Sequence, residues 1–215
     1  MKQLSATDVH DHILVETHEF YRAHHYDLRD RGYHIMYGPL NSRPPILFVG
    51  YQPGGNQRTA DHCLGKPDSV PPKICYYATE DWPLASWMKQ MWGKAYLERC
   101  TGLNAIFFRS PKIAVYEKEV SRDVRQSAAE FCLPRVERMI NAIEPRGVVF
   151  IGLQSLKLFG ETKVELTNSK GRTLVESGRI GAIGAYSTLH LSGARISSVD
   201  RKSIAEFIRG LGQEP

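Results

Sequence analysis

The chain has no C-x-x-C pair. Its four cysteines, Cys63, Cys75, Cys100 and Cys132, are widely and unevenly spaced. That pattern indicates neither a zinc ribbon nor a disulfide framework, and structural thiols in a reducing cytoplasm are the expected reading. No apolar run is long enough to span a membrane, and the opening stretch MKQLSATDVHDH lacks the apolar core of a signal peptide. No repeat or low-complexity tract divides the 215 residues, so one domain covering 1–215 is expected. Acidic residues are outnumbered by basic ones, 23 to 28, and the sequence pI is about 9.0. This balance suits an anionic partner such as nucleic acid, but charge alone does not name one.

Several familiar motifs are also missing. The turn GYQPGG, Gly50 to Gly55, lacks the Lys-Ser/Thr ending of a nucleoside-triphosphate loop, and its glycines do not form G-x-G-x-x-G. Ser192 is not in a G-x-S-x-G elbow, and it follows His190 too closely for the usual relay of a serine hydrolase.

What the sequence does hold is an alternation. Four short, mostly apolar runs, PILFVGY from Pro45, NAIFFRS from Asn104, GVVFIGL from Gly147 and AYSTLHL from Ala185, have the length and composition of buried strands. Helical spacing lies between them. Ile13, Leu14, Thr17, Phe20 and Tyr21 share one face, LASWMKQMWGKAYLERC follows Pro83, and Leu133, Val136, Ile140 and Ile143 recur before Pro145. At the end, Ile204, Phe207, Ile208 and Leu211 repeat, with Ser198 or Asp200 as the cap and Gly210 near the stop. Strands alternating with helices predict an α/β fold with a parallel sheet, whose ligand sits beyond the carboxyl ends of the strands. Those ends are Tyr51 to Gly55, Arg109 to Pro111, Gly152 to Ser155 and His190 to Arg195, with Asn104 at the start of its run. The stretch from Asn56 to Pro83 reads as a long irregular loop of the kind that often carries function.

The pieces GYQPGG, LNAIFFRSP, CLPRVERMINAIEPRGVVFIGLQSLKLFG and HLSGAR, in this order between about Ile46 and Arg195, resemble the uracil-DNA glycosylase superfamily. The resemblance implies a three-layer α/β/α sandwich around a four-stranded parallel sheet. It also implies a monomer that needs no metal or cofactor and hydrolyses the bond between a damaged base and deoxyribose in DNA. Such a base must be flipped into a pocket to be reached. By resemblance Gln52 positions water, His190 stabilises the leaving base, and Asn104 reads the base edge. Gly50, Tyr51, Pro53, Gly54 and Gly55 form the pocket turn, Ser192 and Gly193 clamp phosphate, and Arg195 lies in the region that wedges into the duplex.

The sequence departs from the family in four places. Gln52 stands where active relatives often carry aspartate or asparagine, and an amide can hold a water but is a very poor base. Gly54 replaces the tyrosine that blocks 5-methyl bases in the most uracil-selective branch, which implies a wider pocket. The loop after the first motif holds no phenylalanine to stack on the base, leaving Tyr76 and Tyr77 as the nearest rings, with Tyr77 the candidate. Cys132 matches one cluster ligand of the iron-sulfur branch, but the paired N-terminal cysteines are absent and Phe108 stands near another ligand position, so no cluster is expected. Two other readings stay open: a binding-only member that lost its chemistry at Gln52, and a hydrolase of free nucleosides or nucleotides.

Overall fold

A computed structural model of the chain describes residues 4–54, 70–192 and 196–211. The elements run α1 Ala6–His24, β1 Ile46–Gly50, α2 Tyr76–Thr79, α3 Pro83–Trp92, α4 Lys94–Leu97, β2 Thr101–Asn104 and α5 Ile113–Glu119. There follow α6 Arg122–Ile143, β3 Gly147–Ile151, α7 Leu153–Leu156, β4 Lys163–Thr167, β5 Thr173–Ile180, β6 Ile183–Thr188 and α8 Ser198–Leu211. The protein is α/β, and no helix among the described residues is long and apolar enough to cross a membrane.

The strands form one mixed sheet of six in the order β2-β1-β3-β6-β5-β4. The strand count expected from the resemblance is therefore corrected. β2, β1, β3 and β6 run parallel, and β5 and β4 extend the sheet antiparallel beyond β6. The added strands escape the search for apolar runs because β4 is largely exposed and β5 mixes buried with polar positions.

β1 and β3 are apolar throughout because both faces are covered. Leu47, Val49, Val148 and Phe150 join Ile13 and Leu14 of α1 and Val136 and Ile140 of α6 in one core. Ile46, Phe48, Val149 and Ile151 join Met88 and Trp92 of α3 and Ile204 and Ile208 of α8 in a second. Period-two alternation along the strands thus separates two cores, one on each face of the sheet.

Three local expectations change. The helix after Pro83 stops at Gly93, whose φ of 78° a side chain would resist, and a separate short helix follows. α8 is capped by Ser197, whose hydroxyl accepts from the Asp200 amide at 3.0 Å, rather than by Ser198 or Asp200. Within the stretch from Asn56 to Pro83, residues 76 to 79 form the helical turn α2.

Candidate functional site

The second apolar run is not the strand it resembles. β2 ends at Asn104, so this residue stands at the carboxyl end of its strand, not at the start. Ala105, Ile106, Phe107 and Phe108 are almost fully buried, which explains their apolar character without a strand. The correction moves Asn104 to the end of the sheet where parallel strands present ligands, directly beside Gly50 in register.

The segment after β2 holds the turn after β1 in place. Ala105 N donates to the Gly50 carbonyl at 2.8 Å, Ile106 N to that of Tyr51 at 2.8 Å, and Ser110 N to that of Pro53 at 3.1 Å. Arg109 Nη1 donates to the Gly54 carbonyl at 3.0 Å. These bonds satisfy the carbonyls of a turn that has no regular ladder of its own. Among the described residues, a Cβ added to Gly54 would meet nothing within 4 Å.

Gln52 sits half-buried in this turn. Its Nε2 reaches the Ser110 carbonyl at 3.5 Å, a long contact, while its buried Oε1 has no partner among the described residues. A buried acceptor left empty is costly, so the position favours any donor that enters, water included. Asn104 is better fixed. Its Nδ2 donates to the His34 carbonyl at 3.0 Å, and its Oδ1 lies on the Gly50 side, 3.1 Å from where a Cβ of that glycine would stand.

His34 is a site residue that the sequence does not reveal. It precedes β1 and reaches Asn104 through an irregular strand-like segment: His34 N bonds Phe107 O at 2.8 Å and Asn104 N bonds Ile35 O at 2.9 Å. Its ring stacks on Tyr76, with centroids 5.9 Å apart and planes 10° from parallel. Burial, then the Arg109 guanidinium, then His10 push its pKa down to about 4. His34 is neutral at physiological pH. Of the residues packed around it, Arg109 is among the strand-end positions that the sequence marks, whereas His34 and Tyr76 are not.

His190 follows β6, two strands from β1 in the sheet. Its Nδ1 shares a hydrogen bond of 2.9 Å with the Ser192 hydroxyl, close neighbours in space as in sequence. Gly152 leaves β3 at a φ of 100°, and a Cβ there would meet Ser155 Oγ at 3.5 Å and His190 Cδ2 at 3.9 Å. The residue is exposed at its surface side, yet enough protein surrounds the ring for burial to lower its pKa from the ordinary value.

The two tyrosines of the predicted site serve different cores. Tyr51 packs half-buried against the α1 and α6 side, while Tyr77 is buried on the other, donating to the Tyr37 hydroxyl at 3.4 Å and meeting Phe48 edge to face. Tyr77 is thus embedded among rings at 5% exposure, and Tyr76 is the ring of the pair that stacks near Asn104, on His34. Gly55, Gly193 and Arg195 lie outside the described residues. Cys132 is buried in α6, where its Sγ accepts from Phe107 N at 3.4 Å. Two grooves of about 630 and 650 Å³ lie elsewhere, one between α1 and residues 70–73, the other around Arg29 and Arg125.

No protein-family model and no curated protein matches this chain. Strand order sets Asn104, the Gln52 turn, Gly152 and His190 along one end of four adjacent parallel strands. With about 4.8 Å between neighbouring strands, β1 and β6 are roughly 10 Å apart at this end of the sheet, with β3 and Gly152 between them.

Proposed function

We propose that the protein is a DNA glycosylase that removes uracil or another deaminated base flipped out of DNA, acting as a monomer on a uracil-DNA glycosylase-like three-layer fold. The observation that carries this reading is the buried Oε1 of Gln52, without a partner among the described residues, in the turn that follows Gly50, the register partner of Asn104, with a histidine bonded to Ser192 two strands away. The motif resemblance supplies the reaction, and the geometry is compatible with each step.

The amide of Asn104 has one hydrogen engaged by the His34 carbonyl, which leaves Oδ1 to accept from a ring N–H of the base. Uracil, hypoxanthine and xanthine all carry such an N–H. Gln52 Oε1 accepts a hydrogen bond from water and turns its oxygen toward the sugar. As the bond from C1′ to the base nitrogen breaks, the electron pair leaves with the base and the sugar becomes oxocarbenium-like. Water adds to C1′ and its proton passes to solvent, because an amide cannot keep it.

His190 acts on the leaving base. With the Ser192 hydroxyl donating to Nδ1, the neutral ring carries its proton on Nε2 and donates it as a hydrogen bond to the developing oxyanion. A preorganised donor of this kind is worth about 2.7 to 4 kcal/mol in the transition state. The absence of a side chain at Gly54 suits a pocket that does not discriminate at the 5-position.

The test is alkaline strand cleavage of labelled single- and double-stranded oligonucleotides carrying uracil, hypoxanthine or xanthine, with wild type beside His190→Ala. Abasic sites formed by wild type and sharply reduced in the variant support the reading and name the lesion. No product at high enzyme, with salt-sensitive binding retained, assigns the protein to binding without chemistry.

A further inference from the structure

The two strands that enlarge the sheet also carry a charged turn to the site. β5 pairs antiparallel with β6, Val175 opposite Thr188, and Leu189 N continues the ladder to Leu174 O at 2.8 Å. Extending that register sets Thr173 opposite His190 and Arg172 opposite Leu191, about 5 Å across the pair. The turn joining β4 to β5 therefore projects from the same end of the sheet as Gln52, Asn104 and His190.

This turn is firmly built. Asn168 N bonds Arg172 O at 3.0 Å and Gly171 N bonds Asn168 O at 2.9 Å, with Gly171 at a φ of 73° that suits glycine. The Asn168 side chain closes it, its Oδ1 accepting from Lys170 N and from Arg172 N, both at 3.0 Å. Its Nδ2 reaches Asp200 Oδ2 at 3.3 Å and ties the turn to the first turn of α8. The amides of Asn168, Lys170, Gly171 and Arg172 are bonded within the turn, and the basic side chains of Lys170 and Arg172 are exposed, with no acidic residue between Asn168 and Thr173.

We infer that the β4–β5 turn is a second nucleic-acid contact, in which Lys170 and Arg172 meet the phosphates of the DNA strand beside the flipped base. The inference rests on the glycosylase reading for its partner. From the middle of the site, between β1 and β6, to β5 is roughly 10 Å, or about three base steps of 3.4 Å. The contact thus falls on phosphates about three nucleotides from the excised base. A rigid turn presents its cations with little ordering cost, and each neutralised phosphate releases counterions.

The experiment measures binding to a fluorescein-labelled undamaged duplex over a range of salt, for wild type, Lys170→Ala/Arg172→Ala, and the charge-conserving Lys170→Arg/Arg172→Lys. Removing two phosphate contacts should lower the slope of log K against log salt by about 1.8, while the charge-conserving variant keeps the wild-type slope. On a lesion duplex the alanine variant should show a raised KM and an unchanged kcat, with unaltered melting temperature. If wild type excises bases and the alanine variant keeps its slope and KM, the inference is overturned and the glycosylase reading stands. A reduced slope in a protein that excises nothing keeps the contact and removes the glycosylase. Wild-type binding that ignores salt overturns both.

Discussion

Asn104 and Gly50 face each other in register at the ends of β2 and β1, and a methyl group on Gly50 would come within 3.1 Å of Asn104 Oδ1. The amide cannot easily yield, because its Nδ2 is held by the His34 carbonyl. Gly50→Ala is therefore expected to displace the amide that the proposal assigns to reading the base. Small misplacements in a positioned site cost up to about 10²-fold in rate, whereas overpacking of this kind costs roughly 1 kcal/mol or slightly more in stability. Steady-state kinetics and thermal melting of the variant check both: kcat/KM should fall at least tenfold while Tm drops by only a few degrees.

On the proposed reading Gln52 would hold water without being able to take its proton. Gln52→Glu keeps the reach of the side chain and supplies a base, worth roughly 10²–10⁴ when well placed. Its second oxygen would replace Nε2 near the Ser110 carbonyl, and partial burial together with that contact raises the carboxyl pKa. Excision by this variant should accelerate by about tenfold or more and climb with pH as the carboxylate ionises. Single-turnover rates across pH measure it, and a variant as slow as Gln52→Ala would remove water positioning from the role of this residue.

Much of this arrangement was legible in the residues, for physical reasons that differ by element. β1 and β3 stand out because burial on both faces makes them continuously apolar, and GYQPG stands out because a turn at a strand end favours glycine and proline. β2 was hidden. Gly102 and Asn104 are poor strand residues, yet Gly102 is required there, since a Cβ on it would run into the Tyr37 ring. The apolar signal was displaced onto residues 105 to 108, a buried irregular segment. His34 left no trace at all, because its part in fixing Asn104 is played by a main-chain carbonyl that every residue type possesses.

His34 makes stability depend on pH. Its pKa falls from 6.5 when unfolded to about 4 when folded, so between those values the unfolded chain binds more protons. The stabilisation from keeping it neutral is complete above pH 6.5 and is lost as pH falls toward 4, a swing of ~3 kcal/mol. His34→Phe keeps a ring against Tyr76 and cannot titrate. Denaturant midpoints at pH 7 and pH 4 should differ less in this variant than in wild type, and an equal loss in both would contradict the assignment.

Cys75, Cys100 and Cys132 are buried free thiols, and burial pushes each up to about 12. Thiols so far from ionising are poor nucleophiles. Native protein treated with iodoacetamide at pH 8 should remain unmodified at these three positions by mass spectrometry, and all three should label after unfolding.

The most direct test is single-turnover release of free base from a lesion-bearing oligonucleotide, followed by mass spectrometry, for wild type, Gln52→Ala, Asn104→Ala and His190→Ala. The account predicts free base from wild type and slower release from all three variants, with His190→Ala reduced about 10²–10³-fold. No free base from wild type, or variants as fast as wild type, would contradict it.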